Sequence, residues 1–164
     1  MATSGPWRAA AVQEFAQAAR ALSSFAEIQQ FMEETSQRLG FDYFAITHYV
    51  SDPLAANVVN IGTFPEEWMM TAQRRGYWKD SPLAAACRGS VAPFLWSELP
   101  RKMQLTARHC EILNAAQECG IGEAFTIPAN VQDGTCGDVT FAMKGAQSAA
   151  CEPSGDAIPR MPGL

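Results

Sequence analysis

The stretch that most constrains this chain runs from Phe64 to Trp96, FPEEWMMTAQRRGYWKDSPLAAACRGSVAPFLW, and places three of the four tryptophans around a short acidic-proline turn. Pro65 suits the first turn of a helix, where a missing N–H costs nothing, and Glu66 and Glu67 complement the positive end of its dipole. Gly76 offers a stop about three turns later. Asp80 or Ser81 can then cap a second helix that begins at Pro82. Trp68, Asp80 and Trp96 are therefore expected to meet at junctions between short elements. An indole N–H only donates and an ionised carboxylate only accepts. Such a set suits a small, neutral, polar molecule with a carbonyl and an N–H, held among aromatic rings.

On the N-terminal side, Trp7, Ala11, Phe15, Ala19 and Leu22 recur at helical steps. Ser24 with Glu27 reads as a capping box for a second helix whose apolar stripe is Phe25, Ile28, Met32 and Leu39, closed by Gly40. Both stripes are assigned to the core. Residues 41–50 (FDYFAITHYV) change to a β-branched and aromatic pattern, and Ala56–Ile61 can return as a neighbouring strand across Asp52-Pro53. Beyond Trp96, Ser97–Gln104 reads as a polar loop. Thr106 caps a helix that runs to Cys119 and stops at Gly120, with Ile112, Ala115, Ala116 and Cys119 inward. Ala124–Ala129 and Val139–Met143 are short strands joined by a turn around Asp133-Gly134. Helices, strands, helices, strands: that order predicts an α/β fold, an antiparallel sheet with helices on its faces.

A chain of 164 residues with 48% hydrophobic content can build one domain with a real core. A net charge of −5, with Lys79, Lys102 and Lys144 scattered, argues against a nucleic-acid-binding face. The apolar runs are too short to span a membrane, and MATSGPWRAA lacks the apolar centre of a signal peptide, so a cytoplasmic protein is expected. Five cysteines without close pairing suggest buried free thiols and neither a disulfide framework nor a metal knuckle. His48 and His109 are the only histidines, too few for a histidine metal site, and no cofactor is expected. A nucleophilic Cys110 activated by His109 is disfavoured, because adjacent helical residues point in different directions. No enzyme activity is expected.

The ordered set Trp68, Asp80 with Pro82, Phe94-Leu95-Trp96, Gly120-Ile121, Ile127-Pro128 and Thr140 resembles the signal-binding domain of LuxR-type acyl-homoserine-lactone receptors, the bacterial quorum-sensing regulators. The resemblance covers roughly residues 8–144. It implies an α-β-α sandwich with a central antiparallel sheet and helices on both faces, the ligand lying between the sheet and one helical layer. It also implies roles. Trp68 would donate to a lactone carbonyl, Asp80 would accept the ligand's amide N–H, and Trp96 would pack beside the lactone. Thr140 would turn its hydroxyl to the acyl carbonyl or a water. Phe64, Tyr77 and Ala124 complete the expected site.

The sequence also departs from the family pattern. Phe64 and Ala72 stand where the family has tyrosines, leaving Tyr43, Tyr49 and Tyr77 as candidates to replace the first hydroxyl. Ala124 stands where the family often has glycine. An ungapped alignment puts Ser81, not Asp80, at the ligand's aspartate position; Asp80 is preferred here because only a carboxylate accepts without also donating. The expected layout is a signal-binding domain over residues 1–144 and a disordered tail over 145–164, without the family's DNA-binding helix-turn-helix domain. Partners implied are an N-acyl-homoserine lactone or similar acylated signal, and a second copy or a full-length LuxR-type regulator in a dimer; DNA is not expected to bind this chain.

Overall fold

A computed structural model describes residues 6–49, 59–130, 135–145 and 150–154, with side chains from Ala10 onward. Helix α1 (Pro6–Arg20) and helix α2 (Phe25–Arg38) lead into strands β1 (Tyr43–Tyr49) and β2 (Val59–Gly62). Helices α3 (Glu66–Arg75) and α4 (Pro82–Gly89) follow, then β3 (Phe94–Leu95), a 3-10 turn at Trp96–Glu98 and the short α5 (Leu99–Lys102). Helix α6 (Ala107–Glu118) precedes the long strands β4 (Ile121–Asn130) and β5 (Cys136–Lys144). The five strands form one antiparallel sheet in the order β2-β1-β5-β4-β3.

Strand alternation decides what each face carries. Phe44 and Phe141, with Ile46 and Val139 beside them, turn to one side and pack under Met32, Ile28 and Phe31 of α2. Ala45, Thr47, Tyr49, Asp138 and Thr140 turn to the other, beneath α3, α4 and α6, where the larger core cluster lies. The expected sandwich, with helices on both faces of an antiparallel sheet, is therefore the observed one.

Local chemistry explains most element ends. The Ser24 hydroxyl accepts the Glu27 N–H at 3.3 Å while the Glu27 carboxylate accepts the Ser24 N–H at 3.1 Å, so the capping box forms as expected. Thr106 caps α6 by accepting the His109 N–H at 3.1 Å. Gly76 takes φ +65°, the left-handed geometry that turns the chain out of α3 and sends Tyr77 into the core. At Gly137 a Cβ would sit 2.7 Å from the Thr47 carbonyl oxygen, so only glycine lets β1 approach β5 there.

Several expectations need correction. The α1 and α2 stripes are not wholly core: Val12 is 69% and Phe25 70% exposed, Leu39 also lies open, and Phe15, itself exposed, meets the Phe31 ring of α2 at 5.1 Å. Only one face of α2 meets the sheet, and α1 rides outside it. Ser97–Gln104 is not a plain loop, since fully buried Leu99 anchors α5. Strands β4 and β5 are longer at both ends than their apolar runs, because inter-strand hydrogen bonds continue through polar residues such as Asp138. Residues 51–58 and the turn around Asp133-Gly134 lie outside the described residues.

Two of the cysteines expected to be free are joined: Cys110 of α6 and Cys151 form a disulfide with Cα atoms 5.1 Å apart, whereas Cys87, Cys119 and Cys136 are free. The same contact orders part of the segment expected to be disordered. The Cys151 N–H donates to Asn114 Oδ1 at 2.8 Å, and the Ser154 N–H donates to the Leu105 carbonyl at 3.0 Å. Proximity in the fold, not spacing in the chain, pairs these thiols.

Candidate ligand-binding site

Between the inner face of the sheet and the helical layer lies a cavity. Strand β1 contributes Ala45, Thr47 and Tyr49, and β5 contributes Asp138 and Thr140, while Phe64, Trp68, Tyr77 and Ser81 close it from the α3–α4 side and Ile112 and Leu113 from α6. The enclosed space is small, about 30 Å³, so a molecule much larger than water is accommodated only as lining side chains move outward. Trp68 is buried in the first turn of α3, with the Tyr77 ring centred 5.9 Å away and the Trp78 ring 6.5 Å away. The walls are largely apolar, and the polar groups gather at the sheet.

Those polar groups form one chain of hydrogen bonds. Asp138 is 2% exposed. Its Oδ2 accepts the Tyr49 phenol O–H at 2.8 Å and its Oδ1 accepts the Thr140 O–H at 3.0 Å. With its proton committed to Asp138, the Thr140 hydroxyl accepts from Thr126 at 2.7 Å, and Thr126 in turn accepts the Trp96 indole N–H at 3.0 Å. Burial raises the Asp138 carboxyl to about 6, although the hydrogen bonds from Tyr49 and Thr140 pull the other way. Burial first, then the charge of Asp138, pushes the Tyr49 phenol well above its ordinary range, and a hydrogen bond from Ser81 opposes this. The Cys87 thiol is raised to about 12 by burial first and by Asp138 second, which makes it inert as a nucleophile.

The structure brings some expected site residues together and leaves others apart. Trp68, Phe64, Tyr77 and Thr140 line the cavity. Asp80 does not. Its carboxylate sits on the surface, ion-paired with Arg108 at 3.2 Å, because the side chain that caps α4 and turns inward is that of Ser81, which accepts the Ala84 N–H. Trp96 is buried one layer behind the cavity wall as the donor to Thr126, and Ala124 is buried in β4 without lining the cavity. The Tyr77 ring faces the cavity while its hydroxyl donates to Glu111 at 3.0 Å, and Arg108 stacks over the ring at 4.9 Å. Of the three tyrosines, Tyr49 is the one whose hydroxyl reaches the inner polar cluster. Sequence reading missed Asp138. The signal was period-two alternation: Asp138, Thr140 and Ala142 share a face opposite Val139 and Phe141.

Fold and cavity define a small-molecule sensor domain, an α-β-α sandwich with an enclosed, largely apolar site. The family model of the autoinducer binding domain matches residues 24–158, and the chain belongs to that family of LuxR-type regulators. The transcriptional activator protein BjaR1 of Bradyrhizobium diazoefficiens is 29% identical over 98 residues, covering 59% of this chain and 40% of that protein. In fold the chain is similar to SdiA of Escherichia coli, with TM-score 0.65 at 18% identity over 92% of this chain and 58% of that one. It is also similar to CepR2 of Burkholderia cenocepacia, with TM-score 0.67 at 14% identity over 84% of this chain and 79% of that one. The chain thus spans less than two thirds of BjaR1 and of SdiA.

Proposed function

We propose that this chain is the receptor domain of a quorum-sensing regulator and holds an N-acyl-homoserine lactone, or a similarly acylated signal, in the cavity between β1/β5 and α3/α6. The observation that carries the reading is a buried tryptophan donor and a buried hydroxyl at opposite sides of one apolar cavity. Trp68 would donate to the ring carbonyl, and Thr140 would lie close to the acyl carbonyl. The Phe64 and Tyr77 rings, with Ile112 and Leu113, would cover the acyl chain. The chemistry agrees with that of two structural neighbours: CepR2 is an N-acylhomoserine lactone dependent factor, and SdiA has been seen with octanoyl-rac-glycerol. No helix among the described residues is long and apolar enough to cross a membrane.

Thermal melting with short, long, branched and aryl acyl-homoserine lactones tests this. A ligand that binds only the folded state adds about 2.7 kcal/mol at a hundredfold excess over Kd, a rise of roughly 5–10 °C for a domain of this size. A folded sample that melts unchanged with every member of the panel overturns the reading.

The position of Asp80 gives a companion expectation. Asp80→Asn removes an exposed ion pair, of the kind that contributes about 0–1 kcal/mol, and touches nothing in the cavity. Ligand response should be that of the unchanged protein. A loss of response in this variant would place the surface carboxylate in the site after all.

A pairing role is favoured by a separate observation, the exposed apolar side chains Val12, Phe15 and Phe25 on α1 and α2. A second copy, or a full-length LuxR-type regulator, would cover them. Light scattering on the chain alone and mixed with such a regulator measures this; strictly monomeric behaviour in both would remove it.

A further inference from the structure

The cavity contains a carboxylate with no charged partner. Among the described residues that line it, Asp138 is the one ionised group at neutral pH, and no lysine or arginine joins it. A buried unpaired carboxylate is costly unless donors satisfy it. Each Asp138 oxygen accepts one hydroxyl proton, from Tyr49 or Thr140, while a carboxylate offers about four acceptor positions. Acceptor capacity thus remains at the cavity wall. The donors to Asp138 are themselves held from behind, since Thr126 and Trp96 fix the Thr140 hydroxyl. The carboxylate is pre-oriented.

Its location is informative as well. At the α4 cap, where the ungapped alignment puts the ligand's aspartate, stands Ser81, which lines the same cavity as Tyr49, and the Tyr49 phenol donates to Asp138. The carboxylate at this cavity therefore stands on strand β5 instead of the helix cap.

Resting on the receptor reading above, we infer that Asp138 is the specificity-determining acceptor of this site, receiving the amide N–H of an acylated ligand in place of the α4 cap residue. Trp96 and Thr126, which do not line the cavity, are positioning residues acting through Thr140. The site selects ligands that present a donor to β5 and rejects those that present an oxygen there, because two acceptors would face each other in a dry environment.

The test compares an N-acyl-homoserine lactone with its O-acyl ester isostere, in which an oxygen replaces the amide N–H, each titrated against the whole chain by calorimetry. The unchanged protein should prefer the amide by roughly tenfold or more. Asp138→Asn, of nearly the same shape, should compress that preference to within a few-fold, whereas Ser81→Ala should keep it. Equal preference in Asp138→Asn and unchanged protein overturns the inference while leaving the receptor reading intact, and so does a preference lost in Ser81→Ala alone. If neither ligand binds the unchanged protein across the acyl panel, the receptor reading falls and this inference with it.

Should Asp138→Asn not fold, the unchanged protein at pH 7.5 and pH 5 carries the same test. The groups facing Asp138 are Tyr49 of β1, Ser81 and Cys87 of the α4 region, and Cys136 and Thr140 of its own strand. None of these others changes charge in that interval. Protonating Asp138 should lower amide affinity severalfold and leave ester affinity constant or improved. Parallel behaviour of the two ligands overturns the inference.

Discussion

Trp68→Ala should lower the stability of the ligand-free domain by about 3–5 kcal/mol, the usual cost of truncating a buried aromatic residue, and should abolish the response to acylated signals. Trp68 is 6% exposed and packs against two other aromatic rings, so its removal leaves space that α3 and the Tyr77 turn cannot close without moving. Trp68→Phe separates the two effects. The ring is largely retained, so stability should fall far less, but the only hydrogen-bond donor on the side chain is gone. A neutral hydrogen bond contributes about 0.5–1.5 kcal/mol, so affinity should drop roughly two- to twelvefold. Phe44→Ala is the control: it removes a fully buried ring from the opposite face of the sheet and should destabilise by a similar amount. Ligand binding measured well below its melting temperature should persist. If Trp68→Phe binds like the unchanged protein, the indole is wall and not donor.

Acidification should stabilise the domain through Asp138, against the usual trend for carboxylates. Its folded-state pKa of about 6 lies above the ordinary 3.8 because burial penalises the charge. The folded state consequently binds this proton more tightly than the unfolded chain does. The contribution is fully present below about 3.8 and is lost as pH rises through about 6. Between pH 7.5 and 4.5 it amounts to about 2 kcal/mol, taking 1.36 kcal/mol per pKa unit. Glu111, lowered chiefly by the Arg108 hydrogen bond, and Glu27, lowered chiefly by the Ser23 backbone N–H, act in the opposite sense at the surface. The quantity to measure is therefore a difference. Urea unfolding of the unchanged protein and of Asp138→Asn at both pH values should show the gap moving by about 2 kcal/mol in favour of the unchanged protein on acidification. Parallel curves would mean that water or a local opening solvates this carboxylate.

The two lines of expectation also bear on each other. A ligand N–H donated to the Asp138 carboxylate favours its ionised form, so bound ligand should pull the apparent pKa down and flatten the acid stabilisation. Proton release on binding near pH 6, read as a buffer-dependent binding enthalpy, would report that coupling directly.

Much of this domain is legible in its sequence because the relevant physics is local. Capping at Ser24 with Glu27 and at Thr106, and the left-handed stop at Gly76, depend on hydrogen bonds within a turn or on one residue's backbone freedom. Strand positions follow from β-branched and aromatic runs, and the aromatic cluster around Trp68 follows from the spacing of α3, its glycine stop and the proline start of α4. What only the tertiary structure decided is which side chains face the cavity. Asp80 and Ser81 are adjacent, and either could cap α4; Arg108, on α6, holds Asp80 at the surface while Ser81 turns inward. Tyr49 and Asp138, 89 residues apart, become partners only because β1 lies antiparallel to β5 in a register that pairs Tyr49 with Cys136 and Thr47 with Asp138. The Cys110–Cys151 link and the open face of α1 have the same origin. Periodicity specifies a buried face, but what covers that face is set by packing between distant segments, and a carboxylate there becomes a binding group only when that packing removes its water.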